Sequence, residues 1–303
     1  MRLALGAVVI GLLAAQGCAD FMAEIAANQA ANVLGKAARS FDTEPDPWLA
    51  YHGGLSQLKF AEGALEASPE NEDLLVLVGR SYTQFSFAFL HDEVETSADA
   101  DREMSRRRAM EFHKRARKFI SRRMVLDVED FDRALLSAGD RFDQILSQLD
   151  PKEHVAPMYW LGSSWWHLIS LADDDPTLVA DLPRVHAIMK WVHASAPGFD
   201  AGGAEAYFAL VELRLAKQEG GSLEGAKARF DAALAATNGK ALMMKALYAR
   251  HYCRAAGDRE AYLRTLQDVL DAPDDALPER SLMNALAKQR ATRWIAEVDK
   301  YFE

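Results

Sequence analysis

The stretch MYWLGSSWWHLISLADDD, residues 158–175, contains one tyrosine and three tryptophans within eight positions. Apolar and small residues recur along it at helical intervals of three and four: Met158, Leu161, Gly162, Trp165 and Ile169. An apolar stripe of this kind is typical of an α-helix that packs one face against its neighbours. We therefore expect residues 156–172 to form a buried helix around which the other helices assemble.

The stripe is similar to the first helix of a tetratricopeptide (TPR) repeat, in which a glycine lets a partner helix approach closely. Other segments carry TPR-like spacing: Leu75-Val78-Gly79-Tyr82, Ala226-Phe230-Ala233, and Leu210-Leu213, which recurs 34 residues later as Met244-Leu247. That interval is the TPR period. No stretch alternates apolar and polar residues as strands do. We predict an all-α fold over residues 46–303, with TPR-like helical hairpins stacked into an α-solenoid of about four degenerate repeats.

Capping residues and prolines predict where individual helices begin and end. A polar link over residues 92–101 is expected to precede a helix that starts near Arg102. Pro157 is placed in the first turn of the central helix, because proline is costly in a helix interior. Asp181 is predicted to cap the helix that follows it. A last helix over residues 278–302 is expected to cap the stack.

A second face of the central helix carries the candidate ligand-binding residues. They combine aromatic rings with a few polar tips, which is how small-molecule sites are generally built: Tyr159, Trp160, Ser163, Trp166 and His167. In a TPR stack this face lines the concave groove. Large aromatic side chains are not left in water, so something must cover them. Two alternatives stay open: a ligand fills the groove, or protein alone covers it, from an N-terminal helix or a sister subunit.

The N-terminus reads as a secretory signal peptide over residues 1–17, in which Arg2 precedes an uncharged apolar run. The small residues Ala15 and Gly17 before Cys18 resemble a bacterial lipobox, which predicts acylation of Cys18. The alternative is ordinary cleavage that leaves the cysteine unmodified. Residues 18–45 are then the lipidated N-terminus and a tether helix.

The predicted anchor also predicts where in the bacterial envelope the protein is located. The apolar run is shorter than a membrane-spanning helix needs, so the chain would be attached to a membrane by lipid alone. Ala19 follows the cysteine where an aspartate would favour retention in the inner membrane. We expect the inner leaflet of the outer membrane, with the folded part facing the periplasm. Cys253 is the only other cysteine, so no intramolecular disulfide is expected once Cys18 carries lipid.

Residues 102–123 form a strongly basic helix within a chain of net charge -10. The cations of its candidate patch are Arg106, Arg107, Arg108, Lys114, Arg115 and Lys118. Such a helix can be a solvated surface, or it can dock anionic phospholipid headgroups or an acidic partner protein. Nucleic acid is not an expected partner, because the chain is acidic overall and carries no nucleic-acid recognition motif.

The sequence gives no support to an enzymatic role. It lacks the motifs of serine hydrolases, zinc proteases and nucleotide-binding enzymes. Asp173, Asp174 and Asp175 are adjacent and precede a proline, without the alternate spacing of a calcium loop. We therefore predict no catalytic residues, no metal site and no cofactor.

Several segments together resemble one family: the lipobox, YWLGSSWWHLISLADD, DLPRVHAIMKWV, GGSLEGAKARFDAAL and LMNALAKQRA. The chain is similar over most of its length to the TatT family, the TPR-containing accessory lipoproteins of tripartite ATP-independent periplasmic (TRAP) transporters. The resemblance implies a homotrimer that docks the substrate-binding P subunit, and it supplies no catalytic residues. It favours a transport accessory that binds a small, partly hydrophobic ligand. The alternative is a TPR scaffold lipoprotein for envelope protein assembly.

The anchor hypothesis makes a first prediction. The full chain expressed in a lipoprotein-processing bacterium should partition with membranes and carry the mass of acyl chains on Cys18. Intact-mass measurement of the mature protein checks this. A Cys18→Ala variant that still partitions with membranes would contradict it.

Overall fold

The computed structural model describes residues 29, 31–136, 140–172, 175–216 and 221–302. Within these ranges the chain is all-α, as predicted, and contains no strand. The signal peptide, Cys18 and the first part of the tether helix lie outside the described residues, as do Asp173 and Asp174. None of the described helices is both long enough and apolar enough to cross a membrane.

The first half of the chain forms eight helices in the described ranges. They are α1 (residues 31–43), α2 (Pro47–Ala67), α3 (Glu72–Phe85), α4 (His91–Thr96), α5 (Asp99–Asp127), α6 (Phe131–Leu136), α7 (Asp140–Gln148) and α8 (Pro151–Ser170). A π-helical turn, Ser86–Leu90, joins α3 to α4 without a break. The central helix α8 packs against both α5 and α10 (Leu182–Ser195), at the middle of the molecule.

The second half continues the helical order. After α8 come α9 (Pro176–Val179), α10, α11 (Phe199–Ala216), α12 (Leu223–Ala235), α13 (Leu242–Leu247), α14 (Arg259–Asp271) and α15 (Ser281–Ala296). A second π-helical turn, Tyr248–Cys253, extends α13, and 3₁₀ turns at Pro278–Arg280 and Val298–Lys300 flank α15. Neighbouring helices such as α11 and α12 pack as pairs. The stacking of such pairs as TPR repeats in a solenoid stays a prediction.

Close helix approach at Gly162 explains why the stripe of α8 contains a glycine. A Cβ atom at this position would lie 2.7 Å from the sulfur of Met189 and 3.0 Å from Ile188, both on α10. Gly79 on α3 is equivalent, because a Cβ there would lie 2.5 Å from Ile120 on α5. The two TPR-like motifs therefore mark real close contacts between helices, since protein interiors leave no room for an added carbon.

Trp165 is part of the structural core, as its place in the stripe predicts. Its side chain is 2% exposed, and its indole N–H donates to Asp181 Oδ2 at 3.1 Å. The guanidinium of Arg117 lies 3.8 Å from the centre of the indole ring. Asp181 is the N-cap residue of α10, as predicted, but its side chain does not bind the N–H groups of the first turn, because its oxygens accept from Trp165 and Arg184 instead.

Two predicted helix boundaries differ from the structure. The expected polar link over residues 92–101 is mostly helix, because the π-helical turn carries α3 on into α4 and leaves only Ser97 and Ala98 before α5. The central helix begins at Pro151, where Asp150 accepts a hydrogen bond from the N–H of Lys152. Pro157 therefore lies inside the helix instead of in its first turn. The strong cap and proline at its start define the helix before Pro157 is reached.

Part of the predicted tether helix packs against the helices that follow it. Ala31, Leu34 and Ala38 of α1 are buried, and Asp42 forms an ion pair with Arg80 of α3. Helix α1 therefore contacts the helices that follow residue 46. The reason is the burial of small apolar side chains, which a weakly amphipathic sequence does not reveal.

The last helix closes the molecule on itself. Arg290 of α15 is buried, and it donates to the carbonyl oxygens of Phe87 at 2.8 Å and Ala88 at 3.0 Å. Arg293 binds both oxygens of Asp92, at 2.9 and 2.7 Å, and Trp294 donates to Glu95. We call α2, α3, the π-helical turn Ser86–Leu90 and α4 the first hairpin. Helix α15 thus packs against the first hairpin instead of ending a stack away from it. A partly open cavity lies between the two halves.

Candidate functional site

The cavity between the two halves is partly open to solvent and has a volume of about 870 Å³. Its wall is built from α3 and the first π-helical turn, the central helix α8, helix α11, helix α13 with the second π-helical turn, and the segment from Pro278–Arg280 into α15. Small-molecule sites in proteins span roughly 300–1,000 Å³ and are mostly apolar. The cavity is therefore large enough for an organic ligand.

All five residues of the predicted groove line this cavity: Tyr159, Trp160, Ser163, Trp166 and His167. The first four are buried, and His167 is partly buried. Their own chain therefore covers them, and the same chain leaves a cavity in front of them. The two alternatives for this face, protein cover and ligand, are compatible in one molecule. That these side chains bind a ligand stays a prediction.

The sequence did not identify the other residues that line the cavity. They come from several elements and are mostly large and apolar: Phe87, Met189, Tyr207, Met243, Met244 and Met283. The indole of Trp166 meets the ring of Tyr207 edge to face, with centroids 5.2 Å apart. The sequence did contain one signal of this wall. Leu210 and Leu213, together with Met244 and Leu247 that repeat them 34 residues later, all line the cavity.

One end of the cavity is built around Asp200. Its carboxylate accepts from the Tyr159 hydroxyl at 2.7 Å and from Arg280 at 2.6 Å. Asp200 lies in left-handed backbone with Ala201 and Gly202 (φ 51°, 58° and 78°), a strained kink within α11. Burial, together with the Asp200 charge and hydrogen bond, raises the pKa of Tyr159 well above 10. Tyr159 therefore stays a neutral donor that positions this carboxylate.

A cluster of three imidazoles, His91, His113 and His167, forms another part of the wall and the layer behind it. The ring centroids of His91, His113 and His167 lie 5.1–5.2 Å apart, and Phe87 stacks on His167. Nε2 of His91 lies 2.9 Å from Nε2 of His113, so one ring donates to the other. The rings come from α4, α5 and α8, three helices that only the tertiary fold brings together. We call these three residues the histidine cluster.

Burial keeps the histidine cluster neutral. It lowers the pKa of His167 to about 4, with a further contribution from the charge of Arg290. Burial also lowers the pKa of His91 and of His113 well below 6.5, and the neighbouring imidazoles add to the effect. Bringing a proton to any of these rings therefore requires a new favourable partner for the charge.

The charges on the cavity wall are mainly positive. Among the described residues that line it, Asp200 is the only carboxylate, whereas four residues are arginines: Arg214, Arg250, Arg254 and Arg280. Two of these have acidic partners, because Arg250 binds Glu95 and Arg280 binds Asp200. The cavity is consequently an apolar space with a cationic rim.

The basic helix predicted at residues 102–123 is part of α5, and five of its six candidate cations pair with carboxylates of the same chain. The pairs are Arg106–Glu103, Arg107–Glu103, Arg108–Glu93, Lys114–Glu111 and Arg115–Glu62, while Lys118 is exposed. These pairs lower the net charge of the surface below what the sequence suggested. Most of the cations remain exposed on one helix and are still available to solvent.

The other histidines and the cysteine that could have had a functional role pack against side chains of the domain. His186 packs on the rings of Tyr207 and Phe208, and His193 lies 3.5 Å from Glu205. Burial raises the pKa of the Cys253 thiol to about 11, as expected for a packing residue and not a reactive thiol. In the described ranges, no group of three or more histidine, cysteine, aspartate or glutamate residues is arranged to hold a metal ion.

Comparison with known proteins gives one result for the whole described domain. A family model described as TRAP transporter T-component (TAtT) matches residues 43–302. The matched range contains every residue that lines the cavity and the whole basic helix. No curated protein matches the chain.

The histidine cluster predicts that acid destabilises the fold. The pKa of His167 is about 4 in the folded state and 6.5 without burial, so the neutral ring stabilises the fold above pH 6.5, and this stability is lost as pH falls toward 4. Between about pH 7.5 and about pH 5 this ring alone should lower the free energy of unfolding by about 2 kcal/mol. Urea unfolding at both pH values measures the loss. In a His167→Gln variant the loss should shrink, whereas the exposed His52→Gln control should keep it.

Proposed function

Because the chain belongs to the TRAP transporter T-component family, we propose that it receives a small, partly hydrophobic ligand in its central cavity and docks the substrate-binding P subunit of the transporter. Membership in this family makes it an accessory component of a TRAP transporter system. The proposal adds what the accessory does there.

The observation that carries the proposal is the 870 Å³ cavity at the centre of the fold. An apolar surface that lines a concave space of this size commonly marks a ligand-binding groove. Its wall combines aromatic rings and methionines with a few polar tips, which suits an organic ligand.

The cavity also helps to decide between a ligand-binding accessory and a TPR scaffold for envelope protein assembly. A TPR scaffold that binds peptides presents the inner faces of its helices in an open groove. Here the corresponding face of α8 is covered, because Tyr159, Trp160 and Trp166 are each less than a tenth exposed. This cover supports a small-molecule role over a scaffolding role.

The proposal includes the cellular location and the oligomeric state of the protein. T-components act in the bacterial envelope. We add that Cys18 is acylated and holds the domain on the inner leaflet of the outer membrane, facing the periplasm, after removal of residues 1–17. Self-association into a homotrimer and TPR-type stacking also belong to the proposal. Family membership and the sequence of the N-terminus support these statements.

Substitutions of two neighbouring tryptophans should distinguish an effect on ligand binding from an effect on folding. Trp166→Ala removes the ring that meets Tyr207 in the cavity wall and should weaken binding of a fluorescent apolar probe, N-phenylnaphthylamine, by about tenfold or more. Trp165→Ala removes the hydrogen bond to Asp181 and the contact with Arg117, so it should mainly lower the melting temperature. Probe titration and thermal unfolding measure the two effects.

Helicity and oligomeric state should be unchanged in Trp166→Ala. If both variants lose stability alike and both keep the affinity of the probe, the cavity is not the binding site. Native mass spectrometry of the purified wild type gives an independent check, because a resident ligand adds its own mass to the protein.

The exposed cations of α5 offer a docking face for an acidic surface of the P subunit. If Arg106, Arg107 and Arg108 form this face, binding should weaken steeply with salt, since exposed charges are screened over about 8 Å at physiological ionic strength. Reversing all three to glutamate should abolish P-subunit binding in a pull-down or calorimetric titration.

A matched control reverses three exposed cations that lie on other helices and also have an acidic neighbour in the same helix: Lys59, Lys227 and Arg264. The control should bind the P subunit normally. Loss of binding to anionic vesicles, with P-subunit binding retained, would assign the α5 cations to lipid headgroups. Unchanged binding to both would leave α5 a solvated surface.

A further inference from the structure

Large apolar side chains are exposed to solvent on the outer side of α1 and α2. Of the eleven large apolar residues that are exposed in the described ranges, five lie within residues 33–60: Val33, Trp48, Leu49, Leu55 and Phe60. Trp48 is 68% exposed and Phe60 is 65% exposed. Single exposed apolar residues are ordinary, but a group of them usually marks an interaction surface. We call these five residues the apolar face.

Helical geometry places the apolar face of α2 opposite the side by which this helix packs. At 3.6 residues per turn, the four members of the face on α2 fall within an arc of about 140°. The buried residues of α2 lie on the other side of the helix: Ala50, Gly54, Leu58, Ala61 and Leu65. Helix α2 therefore has two apolar sides, and the described domain covers only one of them.

Helices α1 and α2 form an outer layer on α3. Asp42 of α1 binds Arg80 of α3, and a Cβ atom at Gly54 of α2 would lie 2.8 Å from Phe41 and 3.1 Å from Phe85. Residues 44–46 are the whole connection between α1 and α2, so the two helices run antiparallel. Because both pack on α3, their exposed sides are directed away from it and toward the same side of the domain.

The charges near the apolar face are mainly positive. Lys36 and Arg39 are exposed on α1, and Lys59 is exposed on α2. Of the two carboxylates in α2, Glu62 is turned toward α3, where it accepts a hydrogen bond, and Glu66 follows the last apolar residue of the face. Aromatic rings beside lysine and arginine are typical of surfaces at the bilayer interface, where the rings enter the headgroup region and the cations stay with the phosphates.

The position of the predicted anchor favours a bilayer as the partner of the apolar face. Residues 19–30 lie between Cys18 and α1, and this link spans at most about 45 Å even when fully extended. A domain of this size is itself about 45–50 Å across. Acyl chains on Cys18 would therefore hold α1 and α2 close to the membrane, where a short link makes the effective concentration of the surface high.

Building on the acylation of Cys18 proposed above, we propose that the apolar face lies on the bilayer, with Trp48 and Phe60 in the headgroup region and Lys36 and Arg39 near lipid phosphates. The acyl chains anchor the protein, and the apolar face determines how the domain lies on the membrane. The face does not replace the acyl chains, because few side chains enter the interface. Since α2 packs on α3, which is part of the cavity wall, this contact also orients the cavity relative to the membrane.

Tryptophan fluorescence tests the contact on the acylated protein. Trp48 is the one exposed tryptophan of six, and the others are buried or half-buried: Trp160, Trp165, Trp166, Trp191 and Trp294. The protein is reconstituted in vesicles of phosphatidylcholine and phosphatidylglycerol, with and without bromine on the acyl chains, because bromine quenches a nearby indole. Bromine should quench the wild type, and Trp48→Phe should lose most of this quenching.

Two reporter variants, both in the Trp48→Phe background, map the contact. Phe60→Trp puts an indole elsewhere on the apolar face and should restore the quenching. The matched control is Leu136→Trp, at a residue that is 78% exposed on α6, a helix that packs against α5 and α7. This reporter should not be quenched. All of these changes replace exposed side chains, and circular dichroism checks that the helix content is kept.

The outcomes separate this inference from the anchor on which it rests. If Trp48→Phe is quenched as much as the wild type, or if Leu136→Trp is quenched as much as Phe60→Trp, the apolar face does not lie on the bilayer and the inference is wrong, although acylation stands. If Trp48→Ser with Phe60→Ser turns an oligomer into monomers, a second copy covers the face, which also overturns it. Intact mass of the same sample shows whether Cys18 is acylated, and a mature protein without acyl chains refutes both proposals.

Discussion

The guanidinium of Arg290 is buried where the last helix meets the first hairpin, and its contacts keep the two ends of the domain together. Removing a cation from water costs several kcal/mol, so a buried one needs a counter-charge and hydrogen-bond acceptors. Here the carboxylate of Asp92 lies 3.2 Å from Nε as the counter-charge, and the carbonyls of Phe87 and Ala88 accept from Nη2. Those carbonyls belong to a π-helical turn, a geometry that interrupts the regular hydrogen-bond ladder of a helix and often lies at functional sites.

The position of the cavity follows from this closure. Stacked helical pairs bury one another's faces but leave an inner surface open along the stack. In this chain α15 turns back onto the first hairpin, and part of the inner surface becomes the wall of a cavity. The arrangement is compatible with the ligand-binding role proposed above.

Polar groups inside the cavity are placed so that each end offers a different chemistry. Tyr159 and Arg280 fix the carboxylate of Asp200, so this end is occupied by the protein's own anion. The histidine cluster has no such internal anion. Burial lowers the pKa of its rings, so they stay neutral near pH 7.

Local pattern in the sequence determined the helical class, the packing role of Trp165 and the face of α8 that lines the cavity. Each of these depends on residues within a few turns of one helix, where periodicity of three and four is enough. The closure by Arg290 and the histidine cluster were decided by the tertiary structure alone. Arg290 and Phe87 are 203 residues apart, and the three histidines come from three helices. No local periodicity links such residues, because only the packing of whole helices determines which side chains meet.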